Sequence, residues 1–216
     1  MLDPPSLLTY TNGDDQQSVL AWRLSSPALA IASTPLGGGV GPCEWVLNVQ
    51  VDEHYARTDL EDHLHTIAAE LGCAGVGVGF LTAADVSRLV HGHDGDVDAF
   101  ATVGLRLPTW AADADAAVSP VTIGTINIVV GVPQRLADAA LVNAVITATE
   151  AKVQALSEAG VPGTGTASDA VCIVCPSDGD AEPFAGPRSP IGARIARAVH
   201  QAVAHGTRTW RELENS

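Results

Sequence analysis

The segment that most constrains the fold is Thr122 to Val132, a β-branched and aliphatic run with apolar side chains at both odd and even positions. A strand that is apolar on both faces must be covered on both, so it is expected at the centre of a sheet. Asp169 to Cys175 repeats the pattern and is expected to be a second buried strand. By contrast, Trp45, Leu47, Val49 and Val51 alternate with Glu44, Asn48 and Gln50. That period of two predicts a strand with one apolar face. Residues 17–33 read as two short strands around Ser25-Ser26-Pro27. Gly75 to Leu81 and Val97 to Leu105 read as further strands, with residues 91–98 as a polar loop between them. Residues 108–120 are an Ala/Asp/Pro loop suited to insertion.

Three helices complete the set. Thr58 and Glu61 have the spacing of a capping box, and Leu60, Leu64, Ile67, Ala68 and Leu71 form the stripe behind it. Gly72 can end that helix in a left-handed conformation. Longer helices are expected over about residues 136–159 and 191–205. Strands dominate early and mix with helices later. This order predicts a single α+β domain over residues 1–216, with a mixed, largely antiparallel sheet packed against helices. The ends, 1–15 and 207–216, are expected to be peripheral. Hydrophobic residues make up 46% of the chain but aromatics only 4%, so Val, Ala, Leu and Ile must build the core.

The net charge of −14 speaks against a nucleic-acid partner, because a phosphate polymer is repelled unless a basic patch intervenes. The arginines are scattered and Lys152 is the only lysine. No apolar run reaches the ~18 residues of a membrane span. Met1 to Gln17 lacks the basic start and apolar stretch of a secretory signal, so a cytoplasmic location is expected, with no membrane partner. Cys172 and Cys175, three apart on a strand, point to opposite faces and read as buried structural cysteines. His91, His93, Asp94, Asp96 and Asp98 resemble the start of a calcium loop. However, Ala99 stands where that loop needs glycine and Leu105 where it needs glutamate. His63 and His65 diverge by about 200° on a helix. No metal site is therefore assigned. Dinucleotide, P-loop and nucleophile-elbow motifs are also missing.

Three features point to chemistry. In Gly124-Thr125-Ile126-Asn127-Ile128, Thr125 and Asn127 share one face of an otherwise apolar strand, where each needs a structural partner or a ligand. On the long helix, Leu141, Val145, Ala148, Thr149 and Leu156 form the apolar arc. Lys152 falls near its middle, with Glu150 roughly opposite. An inward lysine must snorkel to solvent, pair with a carboxylate, Asp169 or Glu150 here, or serve a site as a proton carrier or activator of a nucleophile. Finally, Gly163-Thr164-Gly165-Thr166-Ala167-Ser168-Asp169 could be an ordinary turn. It could also line a polar pocket with hydroxyls and backbone N–H groups.

Taken in order, these segments resemble the adenosylcobinamide amidohydrolase family. The matching stretches are Gly37-Gly38-Gly39 with Asn48, Thr82-Ala83-Ala84, Ala101 to Leu105, and Gly124 to Ile128. They continue with Thr149-Glu150-Ala151-Lys152, Gly163 to Thr166 through Asp169-Ala170, and Ala185-Gly186 with Ile191-Gly192. The resemblance implies an amidohydrolase that cleaves the amide between a corrinoid's propionate side chain and aminopropanol, turning adenosylcobinamide into adenosylcobyric acid. It also implies a small-molecule corrinoid partner and no cofactor held by the protein, since the cobalt arrives within the substrate. Lys152, Glu150, Asn127 and Asp169 are the candidate catalytic residues, with Asn127 and Asn48 as candidate oxyanion donors. Gly38, Gly39, Asn48, Thr82, Thr102, Thr125, Thr164, Thr166 and Ser168 are the candidate substrate contacts. A homodimer is compatible with the available sheet edge and apolar helices. One departure stands out. The family pattern favours His-Thr after the late Ala-Gly, and this chain has Pro187-Arg188-Ser189-Pro190, with Ser189 as a possible replacement hydroxyl. A corrinoid-binding protein that kept the pocket but lost hydrolysis is the alternative that this departure raises.

Overall fold

A computed structural model describes residues 2–13, 15–113 and 124–214. The described residues form eight strands and three α-helices. In chain order these are β1 (Ser6–Asn12), β2 (Asp15–Ala32), β3 (Gly39–Gln50), α1 (Leu60–Glu70), β4 (Gly77–Thr82), β5 (Val90–Asp94), β6 (Val97–Gly104), β7 (Thr125–Gly131), α2 (Asp138–Glu158), β8 (Ala170–Pro176) and α3 (Pro190–Glu214). The sheet runs β4-β3-β2-β8-β7-β6-β5, with β1 added to β2. Only β3–β4 and β7–β8 pair in parallel, so the sheet is mixed and largely antiparallel, as expected for this α+β domain.

The sheet folds over on itself, and β2 is where it turns. Between Arg23 and Ala28 the strand advances five positions while its partner β3 retreats only from Trp45 to Cys43. The surplus residues, with Pro27 among them, form a wide bulge, which sharpens local twist and bending. The segment read as two strands is thus one bent strand. Its first half pairs with β1 and its second with β8. The two halves of the sheet face each other: Trp22 meets Phe100 edge-on with ring centroids 5.7 Å apart. Leu20, Val46, Val78 and Phe80 pack with Val129, Cys172 and Val174 in the space between.

Helices cover the two outer faces. Ile126, Ile128, Val130, Val171 and Ile173 meet Ala144, Ala148 and Leu156 of α2 and Ile195, Val199 and Val203 of α3. Leu64, Ile67 and Ala68 of α1 cover Val19, Ala21, Leu47 and Val49. Every residue of β7 is buried because both of its faces are occupied, which accounts for its two-sided apolar pattern. The same layering buries both faces of β3 from Trp45 to Val49, Val46 and Asn48 included, so its expected one-faced character does not hold.

Other local expectations are also revised. Residues 90–104 form a hairpin with Gly95 at φ +59°, not a polar loop leading into a strand. Its charges are paired: His91 contacts Asp98 at 2.9 Å and Asp94 binds Arg197. α1 has no side-chain cap, and Asp59 at its start is held instead by Arg57. Gly72 does end that helix, at φ +68°. The described residues near the two chain ends join the fold. β1 is a full antiparallel partner of β2, Leu2 packs on Gly131, and α3 continues to Glu214 with Thr207 fully buried. Cys172 and Cys175 are buried on opposite faces of β8, and burial raises both thiols. No helix among the described residues is long and apolar enough to cross a membrane. Residues 114–120 of the expected insertion loop and 122–123 of the expected central strand lie outside the described residues.

Candidate functional site

At one end of the space between the two sheet halves, the apolar filling gives way to polar side chains. Asn48 of β3, Thr102 of β6 and Asn127 of β7 are each at most 2% exposed. They come from opposite layers and form a chain. Asn127 Nδ2 donates to Asn48 Oδ1 at 2.9 Å, and Asn48 Nδ2 donates to Thr102 Oγ1 at 3.0 Å. Asn127 Nδ2 also donates to the Leu81 carbonyl at 3.2 Å. Both of its amide protons are thereby used, and Asn127 Oδ1 is buried without a partner. An oxyanion needs donors, and Asn127 has none left to give; Asn48 keeps one amide proton but does not line the cleft that this layer adjoins.

Asn127 of this layer lies at the floor of a cleft of about 650 Å³, within the usual range for small-molecule sites. Thr82, Thr125, Asn127, Ser168 and Asp169 line it, together with Ser33, Phe80 and the segment from Val51 to Arg57. Thr125 and Ser168 oxygens lie 2.8 Å apart, and Ser168 also donates to the Gly124 carbonyl at 3.2 Å. With its proton committed there, Ser168 accepts from Thr125. Thr82 Oγ1 accepts from Ala84 N at 3.0 Å.

Asp169, at this wall, forms one of the two carboxylate pairs expected for the inward lysine. Lys152 Nζ lies 2.5 Å from Asp169 Oδ2, and both side chains are about nine-tenths buried. Asp169 also accepts from Ile126 N at 3.0 Å, Thr166 N at 3.1 Å and Thr166 Oγ1 at 2.5 Å. One carboxylate thus ties together β7, the turn before β8, and α2. A Cβ at Gly165 would lie 2.2 Å from Asp169 Oδ2 and 2.6 Å from Lys152 Nζ. Glycine is needed there so that the backbone can lie against the ion pair.

The remaining candidates lie elsewhere. Glu150 is exposed on the outer side of α2 and does not line the cleft. Thr149, expected in the apolar arc, is exposed too. Thr147 is buried instead and donates to the Ala185 carbonyl at 2.8 Å. Gly38 and Gly39 belong to the turn into β3; a Cβ at Gly38 would meet the Thr34 carbonyl at 2.6 Å. Thr164 braces the 109–111 segment, accepting from Ala111 N at 2.9 Å, and Thr166 serves Asp169. Thr102 and Asn48 support the floor from beneath. Ser189 caps α3 by accepting from Gly192 N at 3.1 Å, away from the cleft walls.

The roof was missed. Asp52, Glu53, His54, Tyr55 and Arg57 all line the cleft. Tyr55 stacks on His63 of α1, with a 2.7 Å contact from its hydroxyl to His63 Nδ1. Burial lowers the pKa of that imidazole, with the Arg57 charge adding to the effect. A tyrosine in a chain holding only two was a usable signal. Among the described residues, no three His, Cys, Asp or Glu side chains gather as a metal site would require.

Two hydroxyls and the carboxylate of a buried ion pair thus line a cleft whose size is usual for small-molecule sites. The chain belongs to the adenosylcobinamide amidohydrolase family, whose profile matches residues 4–215. It is 33% identical over 184 residues to "Adenosylcobinamide amidohydrolase" of Methanosarcina mazei, covering 81% of this chain and 88% of that protein. It is 31% identical over 189 residues to the protein of the same name from Halobacterium salinarum, covering 84% and 81%. Among solved structures, the PH0078 protein from Pyrococcus horikoshii OT3 is similar with a TM-score of 0.45 and 12% identity, over 95% of this chain and 88% of that one. That likeness is too loose to bear on the site.

Proposed function

We propose that this protein hydrolyses the amide linking the propionate side chain of adenosylcobinamide to aminopropanol, giving adenosylcobyric acid. Water adds across the C–N bond: the acyl carbon gains the hydroxyl, and the leaving nitrogen takes a proton. The observation that carries the reading is that Asp169, which holds Lys152, lines the cleft next to the Thr125–Ser168 hydroxyl pair. The hydroxyl pair supplies the attacking oxygen or orients the water that attacks. Lys152 supplies positive charge and a proton store at that wall, held in place by Asp169. The hydroxyl proton of Thr82 and backbone N–H groups of the 163–168 turn are the donors for the developing oxyanion. Glu150, on the outer side of α2, has no part in this scheme. The cleft takes the amide-bearing arm, and the macrocycle lies at its mouth against the 51–57 segment. No resident metal is called on, because the cobalt belongs to the substrate. The proposed setting is the cytoplasm.

The test is incubation with adenosylcobinamide and detection of free aminopropanol. Lys152→Ala and the double variant Thr125→Val/Ser168→Ala are expected to release it at under a hundredth of the wild-type rate while melting cooperatively. Tight corrinoid binding by the wild type with no aminopropanol released would favour a binding protein instead. The Pro187 to Pro190 departure that raised that alternative lies outside the cleft walls.

A further inference from the structure

Among the residues that line the cleft, Asn127 carries a buried side-chain atom with no partner, its Oδ1. Its identity as an acceptor follows from its neighbours. The Leu81 carbonyl can only accept, so the amide group of Asn127 must turn Nδ2 toward it, and Asn48 Oδ1 takes the second proton. Asn48, whose Oδ1 must face that proton, turns its own Nδ2 to the Thr102 hydroxyl. A flipped Asn127 would set oxygen against oxygen at Leu81. Asn127 thus lines the cleft with one lone-pair-bearing atom, buried just under the floor and locked into one orientation. Leaving such an atom unpaired in a low-dielectric site costs about 1–3 kcal/mol.

We infer that Asn127 Oδ1 reads an N–H donor on the ligand, and that the donor is the scissile amide N–H itself. This rests on the hydrolytic reading above and extends it to what the site selects. Asn127 distinguishes a secondary amide from an ester of the same shape, because an ester oxygen cannot donate. It also disfavours the carboxylate product, whose oxygens would face Asn127 Oδ1 with nothing to offer it. Asn48 and Thr102 are positioning residues that act through Asn127. A primary carboxamide elsewhere on the corrinoid carries the same donor chemistry, and the choice of substrates separates the two sources.

The experiment compares adenosylcobinamide with its ester analogue, in which oxygen replaces the scissile N–H and every peripheral carboxamide is retained. The inference expects Asn127→Leu to lose at least tenfold in kcat/KM on the amide and less than threefold on the ester. Asn48→Leu is expected to show the same substrate-selective loss, which general destabilisation would not produce. Equal losses on both substrates would overturn the assignment and point to a peripheral carboxamide or a bound water as the partner of Asn127. Should Asn127→Leu fail to fold, the wild type decides alone: it must bind the amide at least tenfold more tightly than the ester, and equal affinities refute the inference. If the wild type releases no aminopropanol, the hydrolytic reading falls. The same affinity comparison then still judges Asn127.

Discussion

Lys152→Met tests the ion pair on which the site is built. Methionine keeps the apolar stem and removes the ammonium. Asp169 then retains three of its four donors, Ile126 N, Thr166 N and Thr166 Oγ1. Breaking a buried pair from one side costs about 3–5 kcal/mol when the survivor is left uncompensated. A single hydrogen bond to a charged group is worth about 1.5–3 kcal/mol. With three donors left in place the second figure governs, and the variant should lose about 2 kcal/mol. Asp169→Ala is the harsher change. It strands the buried ammonium and frees Ile126 N and the Thr166 groups at once, so it belongs in the ~3–5 kcal/mol range. Combining Lys152→Met with Asp169→Asn should cost less than the sum of the single changes, because the double variant holds no stranded charge whereas each single one does. Urea unfolding with linear extrapolation reads all of these as shifts in midpoint at constant slope. A Lys152→Met loss under about 0.5 kcal/mol, with Asp169→Ala no worse, would mean that the pair is solvated and the reasoning wrong.

His63, whose imidazole pKa burial depresses, should contribute stability that is complete above the ordinary value of about 6.5 and lost as pH falls through the folded value. A pH series of unfolding curves should slope downward on the acid side in the wild type and less so in His63→Phe; identical slopes would contradict this. Cys43, pushed up to about 11 by burial, and the fully buried Cys172 should resist alkylation in the folded protein. The partly exposed Cys73 should label first, as read by peptide mass spectrometry. Gly92→Ala should destabilise by about 1–3 kcal/mol, because the new Cβ would lie 2.2 Å from the Ala198 carbonyl oxygen of α3. Gly41→Ala, with open space around it, should stay within about 0.5 kcal/mol by the same unfolding assay.

Periodicity revealed the parts of the fold that obey it. β7, β8 and the inward side of α2 could be read because burial on two faces or one arc leaves a local pattern, and Lys152 interrupted that pattern. Its partner could be narrowed to two carboxylates but not chosen. The helix face nearest Glu150 is set by how α2 rests on the sheet, and α2 buries five alanines whose small side chains mark an arc poorly. That is also why Thr147 and Thr149 were exchanged. The β5–β6 hairpin was hidden because its charged positions are satisfied by α3, which lies about a hundred residues away. The fold-over at the β2 bulge was the least visible feature. It joins Asn48 to Thr102 and Asn127 across separations of 54 and 79 residues, and no local signal encodes that meeting.

The most direct test of the account is mass spectrometry of the corrinoid after incubation of adenosylcobinamide with the protein in water enriched in heavy oxygen. Hydrolysis at the acyl carbon predicts adenosylcobyric acid carrying one heavy oxygen in the new carboxylate, in step with aminopropanol release, and neither product with Lys152→Ala. Unchanged adenosylcobinamide, or products formed equally well without Lys152, would contradict it.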